Sequence, residues 1–199
     1  MPFNSGACIT GTQTESSYRF SSTRNISPAG TTMKHALTPT QAALREDIHI
    51  LLATFMASET TARKVAGEAP GVIEAVGLDE AETASIRRRI AAVAIGLRML
   101  SDLVPKAEWD GENLNACGTL VRDVGGNECF SELTLREACN KVVHATSVEL
   151  FRTPLGHFYG YLDPSCHLRG KEHGKPWKAS VSIYSFCKSA LIAIDRYKP

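Results

Sequence analysis

The sequence predicts an α+β domain that is mainly α: a helical bundle with a C-terminal β-hairpin or short antiparallel meander and a closing helix. Two observations carry this expectation. Apolar residues recur at helical spacing through two long segments before residue 105, each opened by a capping signal. After Pro154-Leu155-Gly156 the apolar period falls from 3.6 to 2, the signature of strands. The length, 199 residues, suits one domain. Residues 1–37, rich in Ser, Thr, Asn and Gly, read as a disordered tail, and 38–199 as the folded unit.

Thr38 caps the first expected helix and Pro39 suits its first turn, because proline has no N–H to leave unpaired there. Leu44, Ile48, Leu51, Leu52, Phe55 and Met56 then line one face to about Val65, with Gly67 as the stop. Pro70-Gly71 marks a turn, followed by a short helical stretch through Val76. A second helix opens at Asp79 with Glu82 three residues on, and carries Ile86, Ile90, Val93, Leu97, Leu100 and Val104 up to Pro105. The Arg87-Arg88-Arg89 cluster reads as a solvated face. Residues 106–130 give little signal, with Leu120–Val124 open between a short strand and a helical turn. A third helix starts at the Thr134/Glu137 capping box and runs to about residue 149, with Leu135, Ala138, Cys139, Val142 and Thr146 on its buried side. The β unit spans about 157–183: strands at His157–Leu162 and Ser165–Arg169 around an Asp163-Pro164 turn, a Gly170–Gly174 loop, and a strand in which Trp177, Ala179, Val181 and Ile183 alternate with polar residues. A last helix over 184–196 offers Phe186, Cys187, Ala190, Leu191 and Ile194 to the core.

The composition, 43% hydrophobic and 22% charged, is that of a globular protein. The six cysteines form no C-x-x-C pair, and the start of the chain lacks the basic and apolar regions of a secretory signal. Reduced thiols and a cytoplasmic location are therefore expected. No apolar run approaches the ~20 residues that cross a bilayer, so no membrane partner is expected. Residues 39–135 carry nine basic and fifteen acidic side chains, whereas 136–199 carry ten basic and five acidic. That split suits an anionic partner, and equally the holding together of the two halves, the pairing of two copies, or a protein partner.

One helix face carries candidate chemistry. Arg136, Asn140 and His144 are spaced i, i+4, i+8, so they share one side of a helix over ~12 Å. A guanidinium grips phosphate, an amide fixes orientation, and an imidazole moves a proton near neutral pH. Metal-free RNA cleavage needs such functions. The competing reading makes Asn140 and His144 hydrogen-bond partners of the 150–156 connection. The chain is then a non-catalytic protein-interaction or scaffold protein whose polar helix face is structural.

The segment Leu135-Arg136-Glu137-Ala138-Cys139-Asn140-Lys141-Val142-Val143-His144-Ala145 resembles the late helix of the HEPN superfamily. Its members are small helical-bundle domains, many of them dimeric, metal-independent ribonucleases of bacterial defence and toxin–antitoxin systems. The family's Asn and His align with Asn140 and His144. Its Arg falls at Cys139, and Arg136 stands one turn earlier. The resemblance implies an RNA-binding module and a metal-independent endoribonuclease, acting as a homodimer without a cofactor. In it His144 moves the proton, Arg136 clamps the phosphate and Asn140 orients it.

Lys141 is a further phosphate contact in this reading. Arg169, Lys171, Lys175 and Lys178 make the hairpin a basic ribbon for RNA, although Trp177 shares its face with Ala179 and Val181 and reads as core. No metal is expected. Cys166 and His167 are adjacent on a strand and point to opposite faces, and no pair of Cys or His has zinc-finger spacing.

Overall fold

The computed structural model of the chain describes residues 41–65, 78–102, 116–155 and 159–196. The expected tail, the Thr38–Pro39 cap, the 70–76 stretch, Val104–Pro105 and residues 156–158 lie outside them. Among the described residues, four helices and five strands follow in the order α1 (Gln41–Val65), α2 (Leu78–Ser101), β1 (Gly118–Arg122), β2 (Cys129–Glu132), α3 (Leu135–His144), β3 (Ser147–Leu155), β4 (Tyr159–Glu172), β5 (Lys175–Ser182) and α4 (Ile183–Arg196).

This architecture overturns the helical bundle. The strands form a single antiparallel sheet in the order β2-β1-β5-β4-β3, and the helices pack on it rather than on one another alone. Leu120, Leu162, Cys166, Leu168, Trp177, Ala179 and Val181 fill the covered face, joined by Leu44, Ile48 and Leu51 of α1, by Ile86, Ile90, Val93 and Leu97 of α2, and by Phe186 and Ala190 of α4. The other face, with Thr119, Phe130, Phe151, Arg169 and Lys178, is exposed among the described residues. Met56, expected on the core side of α1, is 79% exposed.

The sheet explains what the helical readings missed. β3 occupies residues that the third helix was expected to cover to 149 and the connection that was to follow. Ser147, Val148, Glu149 and Leu150 suit either period in so short a run. The helix stops where Ala145 turns extended (φ −67°, ψ 133°), and β3 begins two residues on, with the β-branched Val148 and Thr153 in it. β4 is one long strand where two strands and a turn were expected. Its register with β3 steps from Leu150↔Cys166 to Arg152↔Leu162, which leaves Asp163-Pro164-Ser165 as a bulge. Proline has no N–H to give a ladder and is at home there. Asp163 Oδ1 accepts from Ser165 N at 3.0 Å, and the buried Ser58 Oγ on α1 accepts the N–H of Leu162 at 2.9 Å. The expected Gly170–Gly174 loop shrinks to a two-residue turn. His173 and Gly174, both at positive φ (51° and 79°), join β4 to β5.

β2 and β3 are the two edges of the sheet, so α3, which links them, crosses the covered face. Arg152 of β3 anchors the start of α2: its guanidinium meets Asp79 at 2.6 Å and Glu82, and donates to the Gly160 carbonyl at 3.0 Å. The Arg152 and Glu82 side chains are only 18% and 16% exposed. Arg152→Ala is expected to cost about 2 kcal/mol, and so to lower the thermal midpoint by roughly 4–8 °C in calorimetry.

Candidate nucleic-acid interface

α3 starts as its sequence suggests. Thr134 Oγ1 accepts the Glu137 N–H at 3.3 Å, but the Glu137 carboxylate turns away from the cap to pair with Arg122 of β1. The Arg122 guanidinium also donates to Ser131 Oγ at 2.9 Å, tying the β1–β2 hairpin to the helix. The helix therefore lies with Glu137, Asn140, Lys141 and His144 toward the β4–β5 turn.

These four line a cavity of about 460 Å³ with Arg98 of α2 and with Lys171, Glu172, His173 and Trp177 of the β4–β5 hairpin. At about 100° per residue the four span about 100° of arc, and Arg136 sits about 90° from its centre. Arg136 is exposed and is not part of the cavity wall. The expected row Arg136–Asn140–His144 is thus split: Asn140 and His144 converge on the cleft, and its guanidinium comes from Arg98. Cys139, where the HEPN motif has its Arg, points the other way and is 1% exposed within the core.

Lys141 is the anchor of the cleft. It is 6% exposed, and its Nζ donates to Glu172 Oε2 at 2.7 Å and stands 4.8 Å from the centre of the Trp177 ring. The hydrogen bond and the charge of Lys141 hold the Glu172 carboxyl below the usual carboxylate range. A depressed carboxyl contributes stability above its unfolded value and loses it as the pH falls through the folded one. Acid titration through the ordinary glutamate range and below it is therefore expected to loosen this contact. The check is Trp177 emission in a Trp109→Phe background, which leaves one of the chain's two tryptophans.

The charges decide what the cleft can hold. Glu172 is paired with Lys141 and Glu137 with Arg122. Arg98 and Lys171 have no ion-pair partner among the described residues, and His144 and His173 are both exposed. The wall thus offers two uncompensated cations, two imidazoles and an amide to an anion.

The rest of the expected basic ribbon is dispersed. Arg169 pairs with Glu149 at 3.1 Å on the uncovered face, where Lys178 is its cross-strand neighbour. Lys175 pairs with Asp123 at 2.9 Å. Only Lys171 joins Lys141 in the wall of the cleft. Sequence reasoning missed Arg98 and His173 as site residues. Arg98 shares no element with α3, and His173 reads as part of a loop until the tight turn presents it.

Burial pushes the Cys117 thiol up to about 11 and those of Cys166 and Cys187 to about 12, and it raises Cys139 as well. None of these is a nucleophile at neutral pH. In native alkylation at pH 7.5 with peptide mapping, these four are expected to label far more slowly than the half-exposed Cys129. Among the described residues, no three His, Cys, Asp or Glu side chains gather as a metal site would require. No described helix is long and apolar enough to cross a membrane.

The chain matches no family model, no curated protein and no solved structure.

Proposed function

We propose that the protein binds single-stranded RNA through the cleft beside α3 and cleaves it without a metal. The observation that carries this reading is the pair of uncompensated cations, Arg98 and Lys171, facing two accessible imidazoles in one cavity. Arg98 takes the phosphate-clamping role expected of Arg136, and Asn140 orients the phosphodiester. His144 accepts the proton of the ribose 2′-hydroxyl as that oxygen attacks phosphorus. The bond to the 5′ oxygen breaks, His173 supplies the proton that this leaving oxygen takes, and a 2′,3′-cyclic phosphate remains. Lys141 holds the wall rather than the ligand. The helical bundle implied by the HEPN resemblance is absent, so this reading rests on the cleft alone.

Fluorescence anisotropy with a labelled RNA oligonucleotide tests the binding. Arg98→Ala is expected to weaken it about 10- to 100-fold, as the loss of a charged hydrogen bond does. It should also make the salt dependence shallower by about one phosphate contact. Lys178→Ala, on the opposite face of the sheet, should leave both unchanged. Equal losses in the two variants would refute a localised site.

A second reading is favoured by the uncovered face of the sheet. Phe130 and Phe151 are 71% and 49% exposed there, and His167 packs edge-on to Phe151 with its Nδ1 buried and unpartnered. Such a surface suits a protein partner, including a second copy of the chain. Sedimentation at rising concentration, with Phe130→Ser as the control, distinguishes self-association from a monomer.

A further inference from the structure

We infer that the RNA-binding cleft is one half of a nucleotide site whose other half, a second cavity across the β4–β5 turn, receives the base. This inference rests on the reading of the first cavity as a phosphate site, and it names the unit that the site recognises.

The second cavity, about 480 Å³, is bounded by the two hairpin ends: Arg122, Asp123, Asn127 and Cys129 from β1–β2, and Lys175 and Pro176 from β5. Glu172, His173 and Trp177 belong to both cavities, so the two adjoin across a single wall. Each is of the size that holds small ligands. Their chemistry differs. In the second cavity the surface is mostly carbon, and both cations are spoken for, Arg122 by Glu137 and Lys175 by Asp123. A space with an apolar wall and no uncompensated charge suits a flat neutral ring rather than a phosphate. Two polar groups in its lining, the Asn127 amide and the Asp123 carboxylate oxygen not held by Lys175, can hydrogen-bond the edge of a base.

The shared wall is also built with care. His173 adopts the left-handed backbone (φ 51°) at a turn position where Gly, Asn and Asp are the usual residues, and this places an imidazole between the two spaces. A single-stranded nucleotide presents its base to one side and its phosphate to the other, which is the division these cavities offer. A paired base would be held in its helix and out of reach, so the site selects unpaired RNA.

The test uses the full chain with three probes: inorganic phosphate, a nucleoside, and the nucleoside 3′-monophosphate. Affinities come from Trp177 emission in the Trp109→Phe background. The monophosphate is expected to bind at least ten-fold more tightly than either of the others. In saturation-transfer NMR on the unmodified protein, base protons should receive the strongest transfer. Cys129→Phe, which fills the second cavity, should cut monophosphate affinity about ten-fold and leave inorganic phosphate unchanged, with circular dichroism confirming the fold. Phosphate binding with no gain from the base, or transfer confined to the ribose, overturns the base subsite and leaves the RNA-binding cleft standing. If none of the three probes binds and RNA does not bind either, the reading of the cleft falls with it.

Discussion

Gly170→Ala is expected to lose about 2–3 kcal/mol of stability, and RNA binding with it. At this position β4 runs directly beneath the indole of Trp177. A Cβ on Gly170 would stand 2.3 Å from Trp177 Cζ2 and 3.1 Å from the His144 carbonyl oxygen. Neither neighbour can yield easily. Trp177 is 3% exposed and packed in the core, and the His144 carbonyl ends α3. Relief therefore means moving the indole, and with it the Lys141 ammonium that stands over the ring and the Glu172 contact that closes the wall. The thermal midpoint should fall by roughly 4–12 °C. Far-ultraviolet circular dichroism should stay near that of the unmodified protein. An unchanged midpoint together with unchanged binding would show that the indole does not brace the cleft.

His144→Ala should lower metal-free cleavage of RNA by about 10²- to 10⁴-fold, the span that a positioned acid–base group supplies. His144 is exposed at the last turn of α3, so its removal leaves no hole in the core. RNA affinity should stay within about threefold, because Arg98 and Lys171 supply the charge. The assay is incubation of purified protein with RNA in EDTA, with the cyclic phosphate end read by mass spectrometry. Cleavage that persists in His144→Ala, or that EDTA abolishes, removes the proposed chemistry. Arg136→Ala is the informative control: it should cleave normally, because that side chain lies off the cleft.

The long apolar stripes were legible in the sequence, since Ile86, Ile90, Val93, Leu97 and Leu100 do face the core from α2. The sheet was not. β1 and β2 are five and four residues long, too short for a period of two to stand out, and within them only Leu120 is fully buried, with Cys117 and Leu133 just outside. With β1 and β2 unread and β3 read as helix, the β unit at 157–183 was too small to cover the helices, and a bundle was expected. The site was half legible for a related reason. Spacing along α3 identifies residues that share a face, and it found Asn140 and His144. Spacing does not tell which flank of a polar face meets another element. The Glu137–Arg122 pair and the buried Lys141 rotate that face toward β4–β5 and carry Arg136 to its margin. Arg98 and His173 arrive from α2 and from a turn, and only tertiary packing brings them in.

The most direct test is a long-range ¹H–¹⁵N spectrum of the histidine rings during titration with a short single-stranded RNA whose 2′ oxygens are methylated to block cleavage. The ring signals of His144 and His173 should shift together and saturate at one equivalent, while those of His49 and His167 stay in place. If His167 moved while the two cleft imidazoles did not, the RNA would lie on the uncovered face of the sheet, and the site proposed here would be wrong.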